Sequence, residues 1–158
     1  MTGYRFGPHL ISESQIFFKS KLSIGIVNLK PIAPSTLEDV HVLVLPKRNI
    51  PRLADLDKEE TVDLMLSAQK IGNVVEKHYG CSSLTMTIQD GPQAGQTVPH
   101  VHMHIIPRKA GDWANNDDIY QELDKKKLGV DNEERKPRTE QEMSAEASEL
   151  RPYFSLLD

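Results

Sequence analysis

Three histidines alternate with apolar residues in the second half of the chain: His100, His102 and His104 are separated by Val101 and Met103. Successive side chains of a strand point to opposite faces, so the three imidazoles would share one face, with neighbours about 6–7 Å apart. The apolar residues between them would pack against the core. Three polar rings on one face of a strand whose other face is apolar predict a functional site.

Three kinds of site are compatible with this pattern. A neutral imidazole can attack phosphorus without first losing a proton, so His102 could be the nucleophile while its neighbours hold a phosphate oxygen or protonate the leaving oxygen. Zinc is a second candidate, although His100 and His104 lie far apart along a strand and no cysteine or glutamate adjoins them. The third is a solvated histidine face without chemistry. We favour nucleophilic catalysis and predict no metal site in the protein.

The loop before the histidines, from Gly91 to Val98, supports a phosphate site. Its glycines allow backbone amides to approach an anion closely, and Gln96 and Thr97 add side-chain donors. No Gly-Lys-Ser/Thr follows, so it is not a Walker loop. Alone it would be an ordinary turn, but beside three histidines it predicts a phosphate cradle.

The elements that must position these residues are consecutive strands with one long helix between them. Apolar alternation predicts strands at residues 16–18, 22–28, 41–45, 83–89 and about 100–105. In the fourth of these, Leu84, Met86 and Ile88 are expected to face inward. This order favours an antiparallel α+β sheet over a parallel doubly wound one.

A long helix over residues 57–79 and a C-terminal helix over 139–151 are predicted to complete the fold. Each begins with the spacing of a capping box, in which two side chains satisfy otherwise unpaired backbone donors. The two pairs are Asp57 with Glu60 and Thr139 with Glu142.

Length and composition predict a single globular domain over residues 1–158. The net charge of −4 argues against a nucleic-acid surface, and no apolar stretch is long enough for a membrane span. The lone Cys81 and a start without a secretory signal lead us to expect a location in the cytoplasm and nucleus. Because Asp124 to Arg138 is crowded with charges, we expect a mobile loop around 113–138.

The sequence resembles the histidine triad family, whose motif is His-x-His-x-His, and within it the fragile histidine triad branch of dinucleoside polyphosphate hydrolases. The resemblance covers almost the whole chain. The matching segments are Arg5 to Gly7, Leu22 to Asn28, Val74 to His78, Gln89 to Pro92, Gly95 to Val98, His100 to His104, Pro107 to Asp112 and the last helix.

The resemblance implies an antiparallel sheet of about five strands with one long and one C-terminal helix, assembled as a homodimer. It also implies cleavage of diadenosine triphosphate to AMP and ADP, assisted by Mg²⁺ or Mn²⁺ that travels with the substrate phosphates. A histidine at position 104, where related nucleotidyltransferases carry glutamine, favours hydrolysis because it can act as acid or base.

The resemblance further assigns roles to single residues. His102 would attack the α-phosphorus and form a nucleotidyl-histidine, His104 would contact the phosphate and bridging oxygen, and His100 would orient the nucleophile. His41 would support the site from a neighbouring strand. The residues implied to contact the nucleotide are His9, Asn28, Gln89, Gly95, Gln96, Thr97, Val98 and His104.

One segment departs from the family pattern. The family has a proline and a glycine directly before the histidine that corresponds to His41, whereas here Pro34 is followed by Ser35 to Val40 without glycine. We therefore expect a longer, acidic segment at this point. Two other functions remain open: a nucleoside phosphoramidate hydrolase or nucleotidyl transferase that uses the same intermediate, and a dinucleotide-sensing signalling module with slow turnover.

Overall fold

The computed structural model describes residues 3–28, 41–120 and 139–155. Two internal segments lie outside the described residues. They contain the acidic segment before His41 and most of the expected loop at 113–138, so what was expected of both segments stays a prediction.

A five-stranded antiparallel sheet forms the centre of the molecule, which confirms the predicted α+β class. The strands of the described residues are β1 (Tyr4–Phe6), β2 (His9–Ile11), β3 (Ile16–Lys19), β4 (Ser23–Val27), β5 (Val42–Pro46), β6 (Ser83–Ile88) and β7 (Met103–Arg108). The central sheet has the order β3-β4-β5-β7-β6, and every neighbouring pair is antiparallel. Strand β7, which carries the end of the histidine run, therefore has a hydrogen-bonded strand on each side.

Helix α1 (Lys58–His78) covers one face of this sheet. The predicted capping box is present, because Asp57 accepts from the N–H of Glu60 and Glu60 accepts from the N–H of Asp57. Glu60 also accepts from the guanidinium of Arg48, whose hydrogen bonds lower the pKa of Glu60 to about 2 despite burial. The helix residues buried against the sheet include Leu64, Ala68, Ile71 and Val75.

The opposite face of the sheet is partly covered by a hairpin that the sequence patterns did not predict. Strands β1 and β2 pair through a two-residue turn at Gly7 and Pro8. Gly7 has a φ of +59° and proline fixes the next φ, the combination that a type II′ turn uses. The apolar residues in this contact are Tyr4, Phe6 and Ile11 near the hairpin and Ile16, Ile24, Ile26, Leu43 and Leu45 of the sheet.

Two helices follow at the C-terminal end, α2 (Glu140–Leu150) and α3 (Pro152–Ser155). The predicted capping box of Thr139 and Glu142 begins α2. Between the helices, Arg151 donates to the carbonyl of Ile16 and joins this end of the chain to the edge strand β3. Within the described ranges, no helix has the length and apolar character that a membrane span requires.

Candidate active site

The histidine run enters the middle of the sheet from a loop. Strand β7 begins one residue before His104, so His104 lies in the strand whereas His100 and His102 precede it. The expectation that all three lie on one strand is therefore only partly correct. The N–H of Val101 donates to the carbonyl of Ile50 instead of a ladder partner, which delays the start of the strand. The intervening apolar residues pack into the core beneath α1, as expected.

His100 is fully buried and fixed at both ring nitrogens. Its Nδ1 accepts from the N–H of Gly7 at 3.1 Å, and its Nε2–H donates to the carbonyl of Pro46 at 2.7 Å. A backbone amide can only donate and a carbonyl can only accept, so the ring is held as the neutral Nε2–H tautomer. Burial also lowers the pKa of His100, which favours the same neutral form.

The main chain of His100 orients the ring of His102. The Nδ1–H of His102 donates to the carbonyl oxygen of His100 at 2.7 Å. A neutral ring with its proton on Nδ1 has its lone pair on Nε2, the nitrogen that a nucleophile would use. Phe6 of the hairpin packs edge to face against this ring, with centroids 4.8 Å apart. The orienting role expected of His100 therefore corresponds to one atom, its carbonyl oxygen.

A second chain of hydrogen bonds leads to His104. Nδ2 of Asn28 donates to Nδ1 of His41 at 3.1 Å, and Nε2 of His41 lies 2.7 Å from Nδ1 of His104. Because an amide nitrogen only donates, Nδ1 of neutral His41 must accept, and the proton of His41 is on Nε2. That N–H donates a hydrogen bond to Nδ1 of His104, so a neutral His104 carries its own proton on Nε2. The rings of His102 and His104 are 5.0 Å apart. An imidazole with its lone pair on Nε2 and an imidazole with its proton on Nε2 thus lie side by side.

Hydrogen bonds of Gly91, Gly95 and Gln96 hold the expected phosphate loop in its conformation. The side chain of Gln96 accepts from the N–H of Gly91 and donates to the carbonyl of Pro51, both at 2.8 Å. The N–H groups of Gly95 and Gln96 also donate to carbonyls inside the loop. Gln96 therefore has a structural role in this conformation, and substrate contacts by Gly95 and Gln96 stay predictions.

The remaining residues expected to bind the nucleotide differ in how far they are buried. A Cβ added at Gly7 would lie 2.6 Å from Cγ1 of Val98, so the hairpin turn packs directly on the loop. Gln89 follows β6 and is half-buried, whereas Thr97 and His9 are exposed. Contacts between these side chains and a nucleotide stay predictions.

Sequence reasoning missed the part that the hairpin plays in the site. Phe6 and Gly7 touch His102 and His100, and Nδ2 of Asn49 donates to the carbonyl of Gly7 at 2.9 Å. The family similarity at Arg5 to Gly7 was a signal for this segment, but no pattern indicated Asn49. The contact of Gly7 with His100 joins residues 93 positions apart, beyond the reach of local periodicity.

A buried ion pair fixes the turn that follows β7. Arg108 donates to both carboxylate oxygens of Asp112, at 2.7 and 3.1 Å, and also to Thr85 and Asn116. Burial raises the pKa of Asp112, but the hydrogen bonds from Arg108 and from two backbone amides outweigh it and leave the pKa below its usual value. The turn after β7 is therefore held to the last residue of that strand by these hydrogen bonds.

The geometry gives no support to the zinc alternative. Within the described part of the chain, no three His, Cys, Asp or Glu side chains are grouped so that they could hold a metal ion. His41 and His104 face each other through a hydrogen bond instead. The arrangement suits nucleophilic catalysis, because Nε2 carries the lone pair in His102 and the proton in His104. The catalytic roles of the two rings stay predictions.

Comparison with known proteins agrees with this class of site. The HIT domain family model matches residues 10–111. The chain also matches a bis(5'-adenosyl)-triphosphatase of Dictyostelium discoideum, with 54% identity over 154 residues that cover 98% of this chain and 95% of the relative. The chain therefore belongs to the histidine triad (HIT) family, in its fragile histidine triad branch.

Two further proteins support the same branch. The chain is 50% identical over 159 residues to a bifunctional bis(5'-adenosyl)-triphosphatase/adenylylsulfatase of Arabidopsis thaliana, with 97% of this chain and 85% of the relative covered. The crystal structure of the Plasmodium falciparum diadenosine triphosphate hydrolase in complex with cyclomarin A is similar to this fold, with a TM-score of 0.75 at 30% identity. That match covers 97% of this chain and 84% of the Plasmodium chain.

Proposed function

We propose that this protein hydrolyses diadenosine triphosphate to AMP and ADP through a nucleotidyl-histidine intermediate. The observation that carries the proposal is the hydrogen bond from Nδ1 of His102 to the carbonyl of His100, which places the proton on Nδ1 and the lone pair on Nε2, the nitrogen that attacks. The substrate class follows from similarity, since the two relatives named as triphosphatases are 54% and 50% identical over nearly the whole chain.

In the first step, Nε2 of His102 attacks the α-phosphorus of the substrate. A P–N bond forms, the bond from that phosphorus to the bridging oxygen breaks, and ADP leaves with the oxygen. The N–H on Nε2 of His104 donates a hydrogen bond to the departing oxygen and stabilises the negative charge that grows on it as the bond breaks, and ADP leaves as the anion.

In the second step, water attacks the same phosphorus. The P–N bond breaks, a P–O bond forms, AMP is released and His102 returns to its neutral form. The attacking water releases one proton to solvent, while the N–H of His104 keeps its hydrogen bond to the phosphate. We propose that Mg²⁺ or Mn²⁺ enters with the substrate phosphates and offsets their charge, without a dedicated site on the protein.

Replacement of the nucleophile tests this mechanism. His102→Ala should lower kcat roughly 10³-fold or more, because the variant lacks the nitrogen that forms the intermediate, while the affinity for diadenosine triphosphate is largely kept. The matched control is His78→Ala, since His78 hydrogen-bonds to Tyr153 outside the site. Kinetics with product identification and isothermal titration give the two readouts.

Rapid quenching of the wild-type reaction should also trap AMP bound to the protein through an acid-labile P–N bond. A His102→Ala protein with near wild-type turnover would contradict the mechanism. A wild-type protein that binds the dinucleotide tightly but releases no AMP would contradict the hydrolase and support the sensing module. A panel of triphosphate, tetraphosphate and phosphoramidate substrates distinguishes the enzymatic alternatives.

We also propose that the protein works as a homodimer. Val62, Met65 and Leu66 share one face of α1, and each is about half exposed. Met86, expected to face inward, lies against α1 beside Gly72 yet keeps 39% of its surface exposed on the outermost strand β6. An apolar face that runs from a helix onto an open sheet edge is typical of a protein–protein contact.

The remaining expectations concern the cell. Location in the cytoplasm and nucleus stays a prediction, which imaging of the tagged full-length chain would test. The expected lack of nucleic-acid binding is supported by the net charge of −4, and an electrophoretic shift assay with duplex and single-stranded probes would test it.

A further inference from the structure

The β1–β2 hairpin is tethered over the histidines by a side chain from outside the hairpin. Nδ2 of Asn49 donates to the carbonyl oxygen of Gly7 at 2.9 Å. The N–H of the same glycine donates to Nδ1 of His100 at 3.1 Å. The turn residue is therefore held between Asn49 on one side and His100 on the other.

The hairpin turn affects the proposed nucleophile, His102, through two neighbours, His100 and Phe6. His100, fixed at its two ring nitrogens, presents its carbonyl to Nδ1 of His102 at 2.7 Å. Phe6, the neighbour of Gly7, packs against the ring of His102 at 4.8 Å and lies 5.9 Å from that of His100. A turn that moved away would loosen the contact that selects the tautomer of His100 and the contact that orients His102.

We propose that Asn49 is a positioning residue for the nucleophile and acts through the turn at Gly7. The inference rests on the proposed attack by His102. Asn49 is itself exposed, and the hairpin is also held by its strand pairing and by the apolar contact of Tyr4 and Phe6 with the sheet. Loss of the Asn49 hydrogen bond should therefore loosen the turn without unfolding the protein.

Two substitutions at Asn49 test the proposal by kinetics. Asn49→Asp keeps the shape but removes the donor, and we expect kcat for diadenosine triphosphate to fall about three- to tenfold with KM nearly unchanged. Asn49→Gln restores an amide on a longer side chain and should recover part of the loss. The matched control is Thr61→Ala, which removes another surface hydrogen bond to a main-chain carbonyl, that of Asp57, and should leave kcat unchanged.

A second readout needs no turnover. The ¹⁵N chemical shifts of the imidazole nitrogens report which nitrogen carries the proton. In ligand-free wild-type protein, we expect the shifts to show that Nδ1 of His100 carries no proton and that Nδ1 of His102 carries one. In Asn49→Asp, the ¹⁵N shifts of both nitrogens should move toward values averaged between the two tautomers.

The two readouts together decide the outcome. Unchanged shifts in Asn49→Asp overturn the proposal whatever happens to kcat, because a kinetic loss would then arise elsewhere. Changed shifts with unchanged kcat in an active enzyme overturn it as well. If the wild-type protein itself releases no AMP, the proposed function fails, and the shifts alone decide whether Asn49 positions the rings.

Discussion

At the scale of the residue, hydrogen-bond partners decide which nitrogen of each imidazole carries a proton. A carbonyl oxygen keeps the proton of His102 on Nδ1. His41 keeps the proton of His104 on Nε2, and Asn28 in turn fixes the tautomer of His41. Identical side chains thus present different groups at Nε2, a lone pair in His102 and an N–H in His104. Asn28, expected only as a nucleotide contact, hydrogen-bonds to His41 and so belongs to this chain.

His41→Ala should separate positioning from binding. Without His41, Nδ1 of His104 loses the donor that keeps the proton on Nε2, and we expect kcat to fall about ten- to a hundredfold with KM nearly unchanged. Tyr153→Phe is the control, because it removes the hydrogen-bond partner of His78 away from the site. A rise in KM alone would mean that His41 serves only binding.

At the scale of the element, the turn after β7 depends on the buried pair of Arg108 and Asp112. Asp112→Ala would leave the guanidinium buried without its carboxylate, and we expect the free energy of unfolding to fall by about 3–5 kcal/mol. Glu13→Ala, which breaks the exposed pair with Lys19, should cost only about 0–1 kcal/mol. Urea denaturation compares the two variants, and equal stabilities would show that the buried pair contributes nothing net.

At the scale of the whole molecule, the proposed homodimer would form through the exposed apolar face of α1 and β6. We expect the purified chain to sediment at twice its mass of 17.8 kDa, and Met65→Asp to shift it to the monomer by placing a charge in the contact. Leu10→Asp changes an equally exposed apolar residue on the hairpin and should leave the dimer intact. A monomeric wild-type protein in analytical ultracentrifugation would refute the proposed assembly.

Local pattern accounts for what the sequence alone determined about this protein. The capping boxes at Asp57 and Thr139 depend on residues three positions apart, and the apolar side of the run at 100–105 depends on simple alternation. The order of strands and helices then sufficed for an antiparallel α+β sheet. The same alternation singled out the three histidines as one site.

Only the tertiary structure decided how those histidines differ. The hairpin strands are three residues each, too short for a periodic signal, yet they supply Phe6 and Gly7. The contacts of Gly7 with His100 and of His41 with His104 join positions 93 and 63 residues apart. A tautomer is set by whichever donor or acceptor lies opposite each ring nitrogen, and that partner comes from chain packing, which no local spacing encodes.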